Sequence, residues 1–125
     1  MASGIVADLL IDTDIFVDHL RGARRFRPGD QTIHYSVVTR AELFAGRATD
    51  EDRVAQLLAP FREVVVTPDI AERAGRLRRV TGLRVADALI AATALEHDLA
   101  LVTRNVRDFR DVAGLVLAPL EMVER

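Results

Sequence analysis

Ile5 to Ile11 is a nearly continuous apolar run, broken once by Asp8, and it stops at Asp12. A short run without polar alternation has no face to give to water. It reads as a strand covered on both sides, the situation inside a parallel sheet. Parallel neighbours cannot be joined by a tight turn, so helical crossovers must follow. This one segment already points to an α/β chain.

The rest of the sequence obeys that demand. Asp14 to Leu20 places Ile15, Phe16 and Leu20 at helical spacing. Gly22, Pro28 and Gly29 mark a loop crowded with Arg21, Arg24, Arg25 and Arg27. Thr32 to Ser36 predicts a second strand. Thr39 and Glu42 have the spacing of a capping box, opening a helix that ends at Gly46. A further helix spans Asp50 to Leu58, stopped by Pro60. Val64 to Val66 predicts a β-branched strand, and Thr67-Pro68-Asp69 then opens a helix through Val80. Gly82 breaks the chain. Val85 to Leu95 is an alanine-rich helix, Leu99 to Thr103 a strand, and Leu115 to Leu117 a last short one. The expected fold is a three-layer α/β/α sandwich around a mostly parallel sheet of four to five strands. No repeat, linker or low-complexity tract interrupts the 125 residues, so one domain over residues 1–125 is expected.

Composition removes several function classes. There is no cysteine, hence no disulfide and no thiolate–metal site. All 17 basic residues are arginine, which excludes any chemistry needing a lysine ammonium. No apolar run reaches the ~18 residues of a membrane span. Asp8, Asp12, Asp14 and Asp18 punctuate the N-terminal stretch where a signal peptide would be apolar. A cytoplasmic protein without membrane contact is expected. The net charge of −2 argues at face value against a nucleic-acid partner.

In parallel sheets, ligands bind beyond the carboxyl ends of the strands. Asp12 follows the first strand there, and Asn105 and Asp108 follow the strand Leu99–Thr103. Glu42 and Asp87 lie near helix starts, each the only charge in an apolar stretch. A half-buried carboxylate needs a compensating charge. A divalent cation would supply it, and carboxylate oxygens suit Mg²⁺ or Mn²⁺. Paired ions of this kind drive phosphodiester displacement without a histidine or a nucleophilic serine. Each acid also has a structural reading. Glu42 could complete the capping box with Thr39, Asp87 could favour a helix start through the macrodipole, and Asp108 could be a surface turn residue. Asp14 and Asp18 are expected to face solvent on the first helix. His19, His34 and His97 are scattered and read as structural.

Four segments carry a resemblance. They are Leu10-Ile11-Asp12-Thr13-Asp14, Thr39-Arg40-Ala41-Glu42-Leu43 with Gly46, Ala86-Asp87-Ala88-Leu89-Ile90-Ala91-Ala92-Thr93-Ala94, and Leu101-Val102-Thr103-Arg104-Asn105 with Asp108-Phe109. In this order and spacing the chain resembles a PIN domain, in particular the VapC-type ribonuclease toxins of bacterial toxin–antitoxin modules. The resemblance implies a metal-dependent endoribonuclease acting on structured cellular RNA such as tRNA or rRNA. It also implies a homodimer, neutralised by a cognate VapB-type antitoxin in a hetero-tetramer or larger assembly. Asp12, Glu42 and Asp87 match the family's three acids. Asp108, with Asn105 assisting, is assigned the fourth position, and Thr13 matches a small hydroxyl residue that positions the first acid. Asp14 departs from the family's usual Asn or Ser, which leaves its role open. Arg25 with its loop, Arg47 and Arg104 are the candidate RNA contacts; Arg76, Arg78 and Arg79 read as a solvated face.

Three rival readings fare worse. A receiver-type phospho-switch wants an acid after a central strand and a lysine, but Val64–Val66 leads to Thr67 and no lysine exists. A haloacid-dehalogenase-type phosphatase could use Asp12 and Asp14 but wants a longer chain. A degenerate PIN fold that only binds RNA or protein would have no need of the retained acids. The charge objection also weakens. With Asp12, Glu42, Asp87 and Asp108 set aside as metal ligands, 17 arginines face 15 acids, a balance of +2.

Overall fold

The computed structural model describes residues 8–124. The part of the first apolar run before Asp8 lies outside them. Four strands form one sheet: β1 (Asp8–Ile11), β2 (Thr32–Ser36), β3 (Arg62–Val64) and β4 (Ala100–Val102). The order is β3-β2-β1-β4 and every pair is parallel. The helices are α1 (Thr13–Leu20), α2 (Val37–Phe44), α3 (Glu51–Leu58), α4 (Pro68–Thr81), α5 (Val85–Glu96) and the short α6 (Val106–Phe109).

Strand alternation divides the core in two. Leu9, Ile11 and Val102 pack with Ile15, Phe16, Leu43, Val54 and Leu58 from α1, α2 and α3. Leu10 and Leu101 face the other way, onto Ile70 and Ala74 of α4, Ala88 and Ala91 of α5 and Phe109 of α6. This is the expected α/β/α sandwich. Phe16 anchors its side with edge-on contacts to Phe26 and Tyr35, the centroids 5.2 and 6.2 Å away.

Three local expectations are corrected. The helix containing Glu42 begins at Val37, capped by Ser36, whose hydroxyl accepts from the Val38 amide. Thr39 therefore sits inside α2 and forms no capping box. The third strand lies at Arg62–Val64 instead of Val64–Val66, because Ser36 pairs with Val64 and the β2 register ends there. Val65 is then left 60% exposed. Leu115–Leu117 forms no strand, only a single bridge between Leu117 and Leu101.

Candidate active site

The strand order makes the site. β1 has β2 on one side and β4 on the other, so the crossovers diverge at the carboxyl ends of β1 and β4, where such sheets hold ligands. Asp12 leaves β1 at that point, its amide still bonded to Val102 of β4 at 2.9 Å. The same residue caps α1, with Oδ1 accepting from the Thr13 amide at 2.8 Å. Its Oδ2 accepts from the Thr103 hydroxyl at 2.7 Å. Thr103 in turn accepts from the Asn105 amide at 3.0 Å, and the Asn105 side chain donates to Asp108 at 2.6 Å.

A second arm runs toward α2. The Thr13 hydroxyl donates to Glu42 Oε1 at 2.6 Å and lies 2.9 Å from the Thr39 hydroxyl. Thr13 has one proton, committed to Glu42, so Thr39 is the donor in their contact. One continuous hydrogen-bonded chain thus joins Glu42, Thr13, Asp12, Thr103, Asn105 and Asp108. Asp87, in the first turn of α5, lies close enough to raise the Asp12 pKa. Among the described residues its ion pair is with Arg84 at 3.6 Å, and that side chain is 84% exposed, so it neutralises little.

Asp14 is the residue that sequence reading placed wrongly. It turns inward from α1, and its Oδ2 accepts from the Arg104 amide at 3.2 Å. Its Oδ1 is buried with no hydrogen-bond partner. Asp18 is likewise not a free solvent-facing acid, since it pairs with Arg104. Arg104 was expected to contact RNA, but its guanidinium is held by Asp18 and Glu124. Arg47 and Arg25 remain exposed. His19 is structural, its Nδ1 accepting from the Phe26 amide at 2.9 Å. Thr103 and Thr39 are the site residues that residue-by-residue reading missed. The only signal for Thr103 was a hydroxyl placed just past a buried strand.

The electrostatics are those of carboxylates crowded together away from water. Asp12 is pushed up to about 7, first by burial and then by the Asp14 charge, against the opposing Thr103 and Thr13 hydrogen bonds. Asp14 is also raised, mainly by burial, with the Arg104 amide and charge pulling the other way. A divalent ion would relieve both carboxylates and give Asp14 Oδ1 a partner. The all-oxygen donor set fits Mg²⁺ or Mn²⁺. Among the described residues no three acids or histidines already stand as a ligand cluster.

Residues 9–115 match the PIN domain, and the chain belongs to that family. Among curated relatives it is 42% identical to Ribonuclease VapC10 of Mycobacterium tuberculosis, over 81% of this chain and 85% of the relative. It is 44% identical to Ribonuclease VapC19 of the same organism, over 80% of this chain and 90% of the relative. The fold is similar to a toxin–antitoxin complex from Klebsiella pneumoniae, with a TM-score of 0.74, 34% identity, and coverage of 87% of this chain and 96% of that one.

Proposed function

We propose that this chain, as one domain over residues 1–125, is the endoribonuclease toxin of a toxin–antitoxin pair, dependent on Mg²⁺ or Mn²⁺. The observation that carries this reading is the pairing of buried Asp12 with half-buried Asp14 at the strand switch point, where one Asp14 oxygen has no hydrogen-bond partner and, among the described residues, neither carboxylate has an ion pair. Similarity to the VapC ribonucleases supports RNA as substrate. Similarity to a solved toxin–antitoxin complex supports a VapB-type antitoxin as partner. Among the described residues no helix is long and apolar enough to cross a membrane, in keeping with a cytoplasmic site of action.

Asp12 and Asp87 would hold the ion, with Asp14 Oδ1 as a further donor and Asp108 at the outer edge. When bound, the ion supplies the positive charge and Lewis acidity that phosphodiester hydrolysis requires. Glu42 is exposed, as Asp108 is, and is fixed through Oε1 by Thr13. Its second oxygen is free to accept a proton from an attacking water. Thr103 and the Thr13 amide keep Asp12 ionised enough to serve as a ligand near neutral pH.

The test is cleavage of a structured RNA by purified protein with Mg²⁺, with Mn²⁺ and with chelator. Cleavage should require the ion and vanish in Asp12→Asn and Asp87→Asn. Metal-dependent cleavage surviving in both variants would end this assignment. Calorimetry adds a readout independent of turnover: Mn²⁺ should bind the native chain and bind Asp12→Asn much more weakly.

A further inference from the structure

A cavity of about 290 Å³ opens beside Glu42, between the end of α1, α2 and the start of α3. Its floor is apolar, made by Leu20, Leu43 and Val54. Its rim carries Arg21, Arg47 and Arg53. The wall between α2 and α3 is built tightly. Thr49 donates its hydroxyl to the Leu43 carbonyl at 3.0 Å, and a Cβ on Gly46 would stand 2.5 Å from that hydroxyl oxygen.

Charge is uneven in this cavity. Asp50 is committed to capping α3 through the Arg53 amide, and Glu42 is committed to Thr13. None of the three rim arginines takes part in an ion pair among the described residues. Among the described residues the Arg53 side chain donates to the Leu20 carbonyl at 3.3 Å. The cavity therefore offers an apolar floor under a rim on which three arginines outnumber the two carboxylates of Glu42 and Asp50, and it shares Glu42 with the acidic site. A polyanionic strand with flat apolar bases matches both halves. The volume lies at the bottom of the ~300–1,000 Å³ range of small-ligand pockets, which is room for one nucleotide.

We infer that this cavity is a nucleotide subsite: it seats one unpaired nucleotide of the RNA next to the scissile phosphodiester, with the base on the Leu20–Leu43–Val54 floor and the phosphate on Arg21, Arg47 and Arg53. The inference rests on the nuclease reading above. It explains why cleavage would need single-stranded RNA, since a stacked and paired base could not enter.

Two measurements test it. In the first, the full chain carrying Asp12→Asn is cross-linked to single-stranded RNA with one 4-thiouridine placed at successive positions. Cross-links should concentrate at one position of the RNA and map to residues 43–54. Cross-links confined to other surfaces would overturn the subsite. In the second, Arg21→Gln/Arg53→Gln is compared with the native chain in RNA cleavage. KM should rise roughly tenfold with kcat nearly unchanged, and the salt slope of binding should fall by ~0.7 for each lost phosphate contact. Mn²⁺ affinity should not move. Native cleavage with unchanged KM and slope in the variant would refute the subsite and leave the nuclease reading standing. Weakened inhibition by an antitoxin with unchanged RNA kinetics would also refute it, making the cavity a protein seat. A native chain that cut no RNA would instead defeat the nuclease reading, and cross-linking alone would then decide the subsite.

Discussion

The Thr103 hydroxyl donates to Asp12 Oδ2 at 2.7 Å, so the residue that ends β4 holds the acid that ends β1. The same hydroxyl lies 3.5 Å from Asp14 Oδ2, but its single proton is already used. Asp12 thus has both oxygens bonded, while Asp14 keeps one oxygen without a partner. Thr103→Val keeps the shape and removes the donor. The Asp12 pKa should rise further, and the rising limb of the activity–pH profile should move to higher pH. Stability should fall by about 1–2 kcal/mol in urea titration. An unmoved pH limb would show that Thr103 only packs.

Stability of the metal-free protein should depend on pH through Asp12. Its folded pKa, pushed up to about 7, lies above the ordinary aspartate value of 3.8, so the folded state retains a proton that the unfolded state has lost. Between those values the native state binds more protons, and stability must fall as pH rises, by a few kcal/mol in total. Above about pH 7 the loss is complete. In thermal melts with chelator, native protein should lose stability between about pH 4 and 7, and Asp12→Asn should flatten that slope. Added Mn²⁺ should restore the native chain most strongly at the alkaline end, where the ligand is ionised. Parallel slopes for the two proteins would place the titration elsewhere.

The fold was legible because the signals that define it are local. A run buried on both faces such as Leu9–Leu10–Ile11 can only be a central strand, and parallel pairing follows from the helices between strands. Glu42 and Asp87 stood out as lone charges on apolar segments, and Asp12 as the acid that follows the first strand. Several of the errors involve partners distant in sequence. Asp14 seemed to face solvent because the amide that captures it belongs to Arg104, 90 residues later. Arg104 looked like a free cation because Asp18 and Glu124 do not neighbour it along the chain. The Thr39–Glu42 spacing imitates a capping box, yet β2 ends at Ser36 and that hydroxyl takes the cap first. Thr39 is then free to support Thr13.

Arg104 should behave as a clamp and contribute little to RNA binding. Its side chain is 24% exposed and joins Asp18 of α1 to Glu124 near the C-terminus, while its amide holds Asp14. Arg104→Leu leaves two acids facing each other without a cation. It should cost about 1–3 kcal/mol, and Arg104→Leu/Glu124→Leu should recover part of that loss. The salt slope of RNA binding should stay at the native value, whereas Arg47→Gln should lower it by ~0.7. A reduced slope for Arg104→Leu would return this residue to the RNA interface.

The Gly46 and Thr49 pair should show strong non-additivity. Gly46 has no positive φ, so an alanine there meets no backbone penalty. What forbids it is space, because the new Cβ would lie 2.5 Å from Thr49 Oγ1. That hydroxyl cannot swing away freely, since it donates to the Leu43 carbonyl at 3.0 Å. Gly46→Ala should therefore destabilise by about 1–3 kcal/mol, the usual range for overpacking. Thr49→Ala loses one hydrogen bond, about 1 kcal/mol. In the double variant the clash partner is gone, so its loss should be clearly smaller than the sum of the two. Urea titration of all four proteins measures the coupling directly. Strict additivity would mean that the wall beside Glu42 yields easily, and the cavity it borders would then be a softer structure than these contacts imply.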